Sequence, residues 1–346
     1  MKSIKEFLNF NLYKANKISE GLLPSNKAVK VDFLKKYITG YKKYNEQTNT
    51  VIADKSITFK NLTEQQLTII CNDYNFIHTE TTGNYYTPNL NVTFENCFIS
   101  VDALSKLFEL KDFGNFKEEE SHKIRKISLI LKDCKFEGGL LDLSDFVDIN
   151  IELLLIQSGN IKLLKGPGEE KSSYTIKPLY NVHISDCSSL SEICNIHTRT
   201  LHITDCPTLN TTTHCGATVI TFNNIGIKEL KFDNKMFEIA SSYNTVFNIQ
   251  LENCNSLIRS DIPFCERSYV LVNGCRRLYE LNFQEFNVRK LSGMECNLYL
   301  TNNPNLGKVT NLPKFGITGI QIVNCDALND SYKIVPYRSS YKIKPI

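Results

Sequence analysis

One short pattern returns along most of this 346-residue chain, and it constrains the fold more than any other feature. Two apolar residues stand two apart, a small residue follows three later, and a further apolar residue often comes three after that. The plainest copies are Val182, Ile184, Cys187, Leu190 and Leu201, Ile203, Cys206, Leu209. Others are Ile249, Leu251, Cys254, Leu257; Val270, Val272, Cys275, Leu278; Leu298, Leu300, Asn303, Leu306; and Ile320, Ile322, Cys325, Leu328. Weaker ones begin at Ile57, Val92, Leu129, Leu153 (with Leu155, Ser158 and Ile161) and Ile220. The ten steps from Phe59 to Ile322 average about 26 residues.

Apolar side chains two apart leave a strand on one face, and the residues between them leave on the other. A side chain three positions on must then sit inside a turn stacked on similar turns. Cysteine fits there as a compact hydrophobe with a weak donor, and asparagine by bonding the backbone. The ladder expected at this position is Cys97, Cys134, Cys187, Cys206, Cys254, Cys275, Asn303 and Cys325. Because the repeat sets this spacing, the sequence predicts buried free thiols rather than disulfides, which suits a cytoplasmic setting.

Across residues 50–330 the pattern resembles the leucine-rich repeat family, above all its cysteine-containing variety. That resemblance implies an α/β solenoid: an irregular stack with a parallel β-sheet on the concave face and mixed loops and short helices on the convex face. Steps of 35 and 37 residues near the start, against 19 at the centre, imply an irregular arc. The solenoid is placed at 51–330. An N-terminal helical cap is placed at 21–50, where Leu34, Tyr37, Ile38 and Tyr41 have helical spacing that Gly40 limits. Val101, Leu104, Leu107 and Phe108 read as a returning helix, while Lys117 to Lys126 and Gly166 to Ser173 read as excursions. Residues 331–346 are a basic tail or cap.

Residues 1–20 are set apart as a candidate cleavable targeting peptide. Met1, Lys2, Glu6 and Phe7, followed by Ile18-Ser19-Glu20 and Gly21, resemble the capsid-targeting sequences of internal head proteins of large tailed bacteriophages. The likeness implies a prohead protease cutting between Glu20 and Gly21, capsid or scaffold contacts, and virion-borne chains that begin at Gly21.

The net charge of +3 is divided unevenly, with cations concentrated at both ends and a mildly acidic middle. Such a middle is a poor surface for nucleic acid, and no apolar run is long enough for a membrane span. No phosphate loop, dinucleotide fingerprint, HExxH, GxSxG or paired CxxC is present. Cys194, His197, His214 and Cys215 lie near His183 and His202 in sequence but on a different side of the expected coil, so no metal, cofactor or catalytic set is expected.

What remains is a binding ribbon on the exposed strand face: His183, His202, Gln250, Tyr269, Leu271, Tyr299 and Gln321, together with Ile130, Leu154 and Ile156, some of which insertions could cover. The expected function is non-catalytic protein binding, in or on a capsid if the N-terminal likeness holds. A host-directed effector or inhibitor delivered with the virion, and a structural virion component, are the alternatives.

Overall fold

The computed structural model describes residues 27–53, 55–78, 90–109, 127–146, 151–167, 179–232, 247–285 and 295–346. The proposed cleavage residues Ile18, Glu20 and Gly21, the 117–126 insertion and residues 168–173 lie outside them.

The alternating segments form a β-rich stack around one twelve-stranded sheet: β1 (Ile38–Thr39), β2 (Ser56–Lys60), β3 (Leu90–Glu95), β4 (Ile127–Lys132), β5 (Ile151–Gln157), β6 (Leu179–Ser185), β7 (His197–Cys206), β8 (Gly216–Ile225), β9 (Phe247–Glu252), β10 (Ser268–Asn273), β11 (Asn297–Thr301) and β12 (Gly319–Val323). From β2 onward neighbours pair in parallel and in chain order. Register sets each marker on the next, through Phe59, Phe94, Leu131, Ile156, Ile184, Ile203, Phe222, Leu251, Val272, Leu300 and Ile322. The first ten of these side chains are buried, and each such burial stabilises by about 1.5–3 kcal/mol.

In β5 the register differs from the sequence expectation. Leu154 and Ile156, expected on the exposed ribbon, are core residues, while Leu153 and Leu155 face outward and are half-buried. The run Ile151-Glu-Leu-Leu-Leu-Ile is apolar in both parities, so alternation alone does not fix which face is buried. The turn decides: Gly159, not Ser158, takes the ladder position, and a Cβ there would stand 2.3 Å from the Cys134 carbonyl oxygen. The shift is absorbed between Ile151 and Leu153.

Immediately before each ladder residue the chain turns through a left-handed backbone. The residues there are Asn61, Asn96, Asp133, Ser158, Asp186, Asp205, Asn224, Asn253, Gly274, Asn302 and Asn324, with φ between +50° and +70°. Glycine, asparagine and aspartate tolerate this conformation best. The freed N–H groups reach the next unit: Asn61 donates to the Glu95 carbonyl, Asn96 to Lys132 and Asp133 to Gln157, each at 2.9 Å. Side chains repeat the linkage, as where Asn224 Nδ2 donates to Asp205 Oδ1 at 2.8 Å and Asn324 Nδ2 to Asn302 Oδ1 at 2.7 Å.

The side chains just past these corners turn inward. Cys97 Sγ donates to the Phe59 and Glu95 carbonyls, and Cys254 Sγ to those of Phe222 and Glu252. Asn303 replaces a thiol by accepting from the Cys275 N–H at 2.9 Å and donating to the Val272 carbonyl at 2.8 Å. All twelve cysteines are free, and all but the half-buried Cys194 are buried. Burial pushes Cys97 up to about 11 and Cys134 and Cys296 up to about 12, so these thiols stay protonated at neutral pH. At Cys187 and Cys275 the hydrogen bond shared with the neighbouring sulfur, Cys206 or Cys254, raises the thiol first and burial adds to it.

The returning segments change character along the chain. The first two are helices, α2 (Glu64–Asp73) and α3 (Val101–Glu109), and α2 opens with a reciprocal Thr63–Gln66 capping box. Later ones form two parallel four-stranded sheets. One comprises Leu140–Asp142, Leu163–Lys165, Glu192–Cys194 and Thr211–Thr213; the other comprises Glu229–Leu230, Arg259–Phe264, Glu280–Glu285 and Lys308–Thr310. A 19-residue step holds two strands and two corners but no helix of two to three turns.

At the N-terminal end, α1 (Lys27–Tyr37) stops before the expected stripe is complete. Ile38 instead opens β1, which pairs antiparallel with β2, and Gly40 turns at φ +80°. The basic tail is a hairpin, β13 (Tyr332–Tyr337) and β14 (Ser340–Pro345), held by Tyr332 Oη donating to the Val309 carbonyl at 3.0 Å.

In thiol titration with an aromatic disulfide reagent, the native protein should release one prompt equivalent, from Cys194, and twelve after denaturation. Fewer than twelve in denaturant would mean that some sulfurs are paired.

Candidate interaction face

The residues between the buried markers form an outward column that runs across the sheet. Register places Thr58, Thr93, Ile130, Leu155, His183, His202, Thr221, Gln250, Leu271, Tyr299 and Gln321 side by side. Six of the seven ribbon residues expected from sequence therefore share one line. The seventh, Tyr269, sits in the adjacent column, diagonal to Tyr299, and the two rings lie 5.4 Å apart at 45°. Such tilted aromatic pairs stabilise by about 0.5–1.5 kcal/mol beyond area burial.

Half-buried apolar groups cluster at two places on this face. Tyr269, Leu271 and Tyr299 make one patch; Ile130, Leu153 and Leu155 make the other. Polar residues separate them, namely His183, His202, Thr221 and Gln250. Leu153 and Leu155 were missed because the sequence gives β5 no visible alternation. The signal that finds them is Gly159, three residues beyond the true marker Ile156. The flanking columns are amide-rich and hydrogen-bonded, as where Gln250 Nε2 of the central column donates to Asn248 Oδ1 beside it at 3.1 Å and Thr301 Oγ1 to Asn273 Oδ1 within one flanking column at 2.9 Å. At the first units a Lys60–Glu95 ion pair at 2.9 Å continues the polar edge. Both its partners are substantially exposed, so its net contribution is small.

His183 and His202 stack with ring centroids 4.7 Å apart and planes within 3° of parallel. Burial holds both imidazoles below their ordinary value, and the proximity of His183 lowers His202 further. At neutral pH the pair is therefore uncharged, which makes it compatible with an apolar partner surface. Parallel rings direct their nitrogen lone pairs side by side instead of toward a common point. Cys194, His197, His214 and Cys215 do not join the pair: His214 occupies a left-handed corner at φ +51°, and Cys215 donates inward to the Ile193 and Thr213 carbonyls. Among the described residues no three His, Cys, Asp or Glu side chains are grouped as metal ligands, and no helix is long and apolar enough to cross a membrane.

Comparison with protein-family models, with curated proteins and with solved structures finds no match to this chain.

A group whose folded-state pKa is depressed contributes stability above its unfolded value, near 6.5 for histidine, and loses it as the pH falls through the folded value. Denaturation midpoints should therefore drop between pH 7.5 and pH 5 by more in the native protein than in a His183→Gln/His202→Gln variant. Equal drops would show that the stack does not carry the effect.

Proposed function

We propose that this chain is a non-catalytic protein-binding solenoid, an irregular leucine-rich-repeat-like stack whose long sheet presents its outward, concave face to a protein partner. The observation that carries this reading is the Tyr269–Leu271–Tyr299 patch. Two tilted aromatic rings and a leucine stand on three adjacent positions of a sheet whose strands are fixed by continuous pairing. Rigid aromatic side chains bury large areas on binding while losing little conformational freedom, which is why they serve as anchors at protein interfaces. The scaffold holds them in place before the partner arrives, so less ordering is required on association.

The surrounding chemistry supports a protein in preference to a nucleic acid. The flanks of the patch are Asn248, Gln250, Asn297 and Gln321, neutral amides suited to a polar rim. Glu252 lies one column away, opposite in sign to what a phosphate backbone requires. The free thiols support a reducing compartment. The N-terminal likeness supplies a proposed setting, a chain packaged with a virion after cleavage before Gly21, in which case the partner is a capsid or host protein.

Affinity capture from the lysate of the producing cell tests the patch. The native chain should retain a defined set of proteins that a Tyr269→Ser/Leu271→Ser/Tyr299→Ser variant loses, while both show the same far-ultraviolet dichroism. An unchanged set of partners on the folded variant would remove this face as the binding site.

A further inference from the structure

The two ends of the long sheet are finished differently. At the N-terminal end β1 pairs with β2, Leu34 of α1 and Ile38 close over the first unit, and both are buried. At the C-terminal end β12 is the last strand in the order. Its inward residues Ile320 and Ile322 are only half-buried, although their counterparts Leu298 and Leu300 in β11 are fully buried. Among the described residues no strand pairs with the outer edge of β12: the terminal hairpin touches the beginning of that strand, bridging Ile317 through Tyr341, and covers Val309 on the returning side.

Backbone direction adds to this. The Gly319 N–H bonds back to the Cys296 carbonyl, and the Val323 carbonyl accepts from the Asn302 N–H at 2.9 Å. Because backbone groups alternate along a strand, those of Ile320 and Ile322 point away from β11, toward the free edge. An edge of this kind is a template for one more strand. Among the described residues, four of the seven exposed large hydrophobic ones also lie in this C-terminal part: Val323, Ile334, Tyr341 and Ile346.

Charge selects the occupant. Residues 312–346 carry Lys314, Lys333, Arg338, Lys342 and Lys344 against only Asp326 and Asp330, and Arg338 stands at the tip of the hairpin, whose Tyr337 and Ser340 lie against Gly316, three residues before β12. A second copy of the chain would bring the same excess of cations against itself. We propose that the free edge of β12 receives an extended, acidic segment of another protein as a thirteenth strand, its alternate apolar side chains covering Ile320 and Ile322 and its carboxylates facing the cationic hairpin. This site is the edge of the sheet, not its face, and does not depend on the Tyr269 patch.

The test uses a dye-labelled nine-residue peptide of alternating glutamate and valine, titrated into the full chain and followed by fluorescence anisotropy. Saturable binding is expected. Binding should weaken by at least about tenfold, 1.4 kcal/mol, when lysine replaces glutamate, when the peptide nitrogens are methylated, or when Ile322→Pro removes an edge N–H. The methylated peptide keeps its charge, so it separates strand addition from simple attraction and needs no protein variant. No saturation by the acidic peptide, or equal binding of the lysine or methylated peptide, would overturn the proposal. So would sedimentation showing a dimer that Ile322→Pro converts to monomer, because the occupant would then be a second copy. The Tyr269→Ser/Leu271→Ser/Tyr299→Ser variant should bind the acidic peptide unchanged.

Discussion

Each unit of this stack turns at one residue with left-handed backbone, and for most units that residue's N–H is donated to the carbonyl at the end of the neighbouring strand. The turn does two things at once. It redirects the chain away from the sheet, and it ties the corner of one unit to the next. Strand pairing alone would leave the corners free to slip. Corner bonds between successive units, for instance from Asn96 to Lys132 and from Asp133 to Gln157, hold the register at those turns as well as along the strands.

The other features follow from that constraint. A side chain just past the corner is carried inward in every unit, so the position takes buried groups: Leu62 and Ile225 fill it with apolar bulk, and elsewhere it holds residues small enough to stack. Cysteine, glycine at 159 and asparagine at 303 meet these terms by different means. Fixed register also lines up the outward residues, and this is what makes two histidines stack and two tyrosines meet although 19 and 30 residues separate them in sequence. The same logic requires finished ends, and among the described residues only the N-terminal one has a further, antiparallel strand laid against its last parallel strand.

Much of this was legible in the sequence because stacking forces repetition. The marker residues, the thiol ladder and six members of the outward column could be read from spacing alone. β5 could not, since Leu153, Leu154, Leu155 and Ile156 are all apolar and the turn around Ser158 and Gly159 was needed to break the tie. The left-handed corner escaped notice although Asn or Asp stands there in nine of eleven units, because those residues are common in any turn. The helical stripe ending at Tyr41 was misleading for a related reason. Ile38 satisfies helical spacing equally well as the start of a strand, and pairing with Phe59 decides between them. Mixed loops and short helices were expected on the returning side; the described segments are helices in the first two units and short strands later, where a 19-residue step leaves no room for a helix of two to three turns.

The central claim is that equivalent positions advance by one strand spacing per unit. Spin labels carried by noncanonical amino acids at Lys132 paired with Glu252, and at Lys132 paired with Val323, measure this directly by pulsed dipolar spectroscopy. Five and eight strand steps should give separations near 24 and 38 Å, at about 4.8 Å per strand. Separations that do not grow from the first pair to the second would mean that the units are not stacked in order.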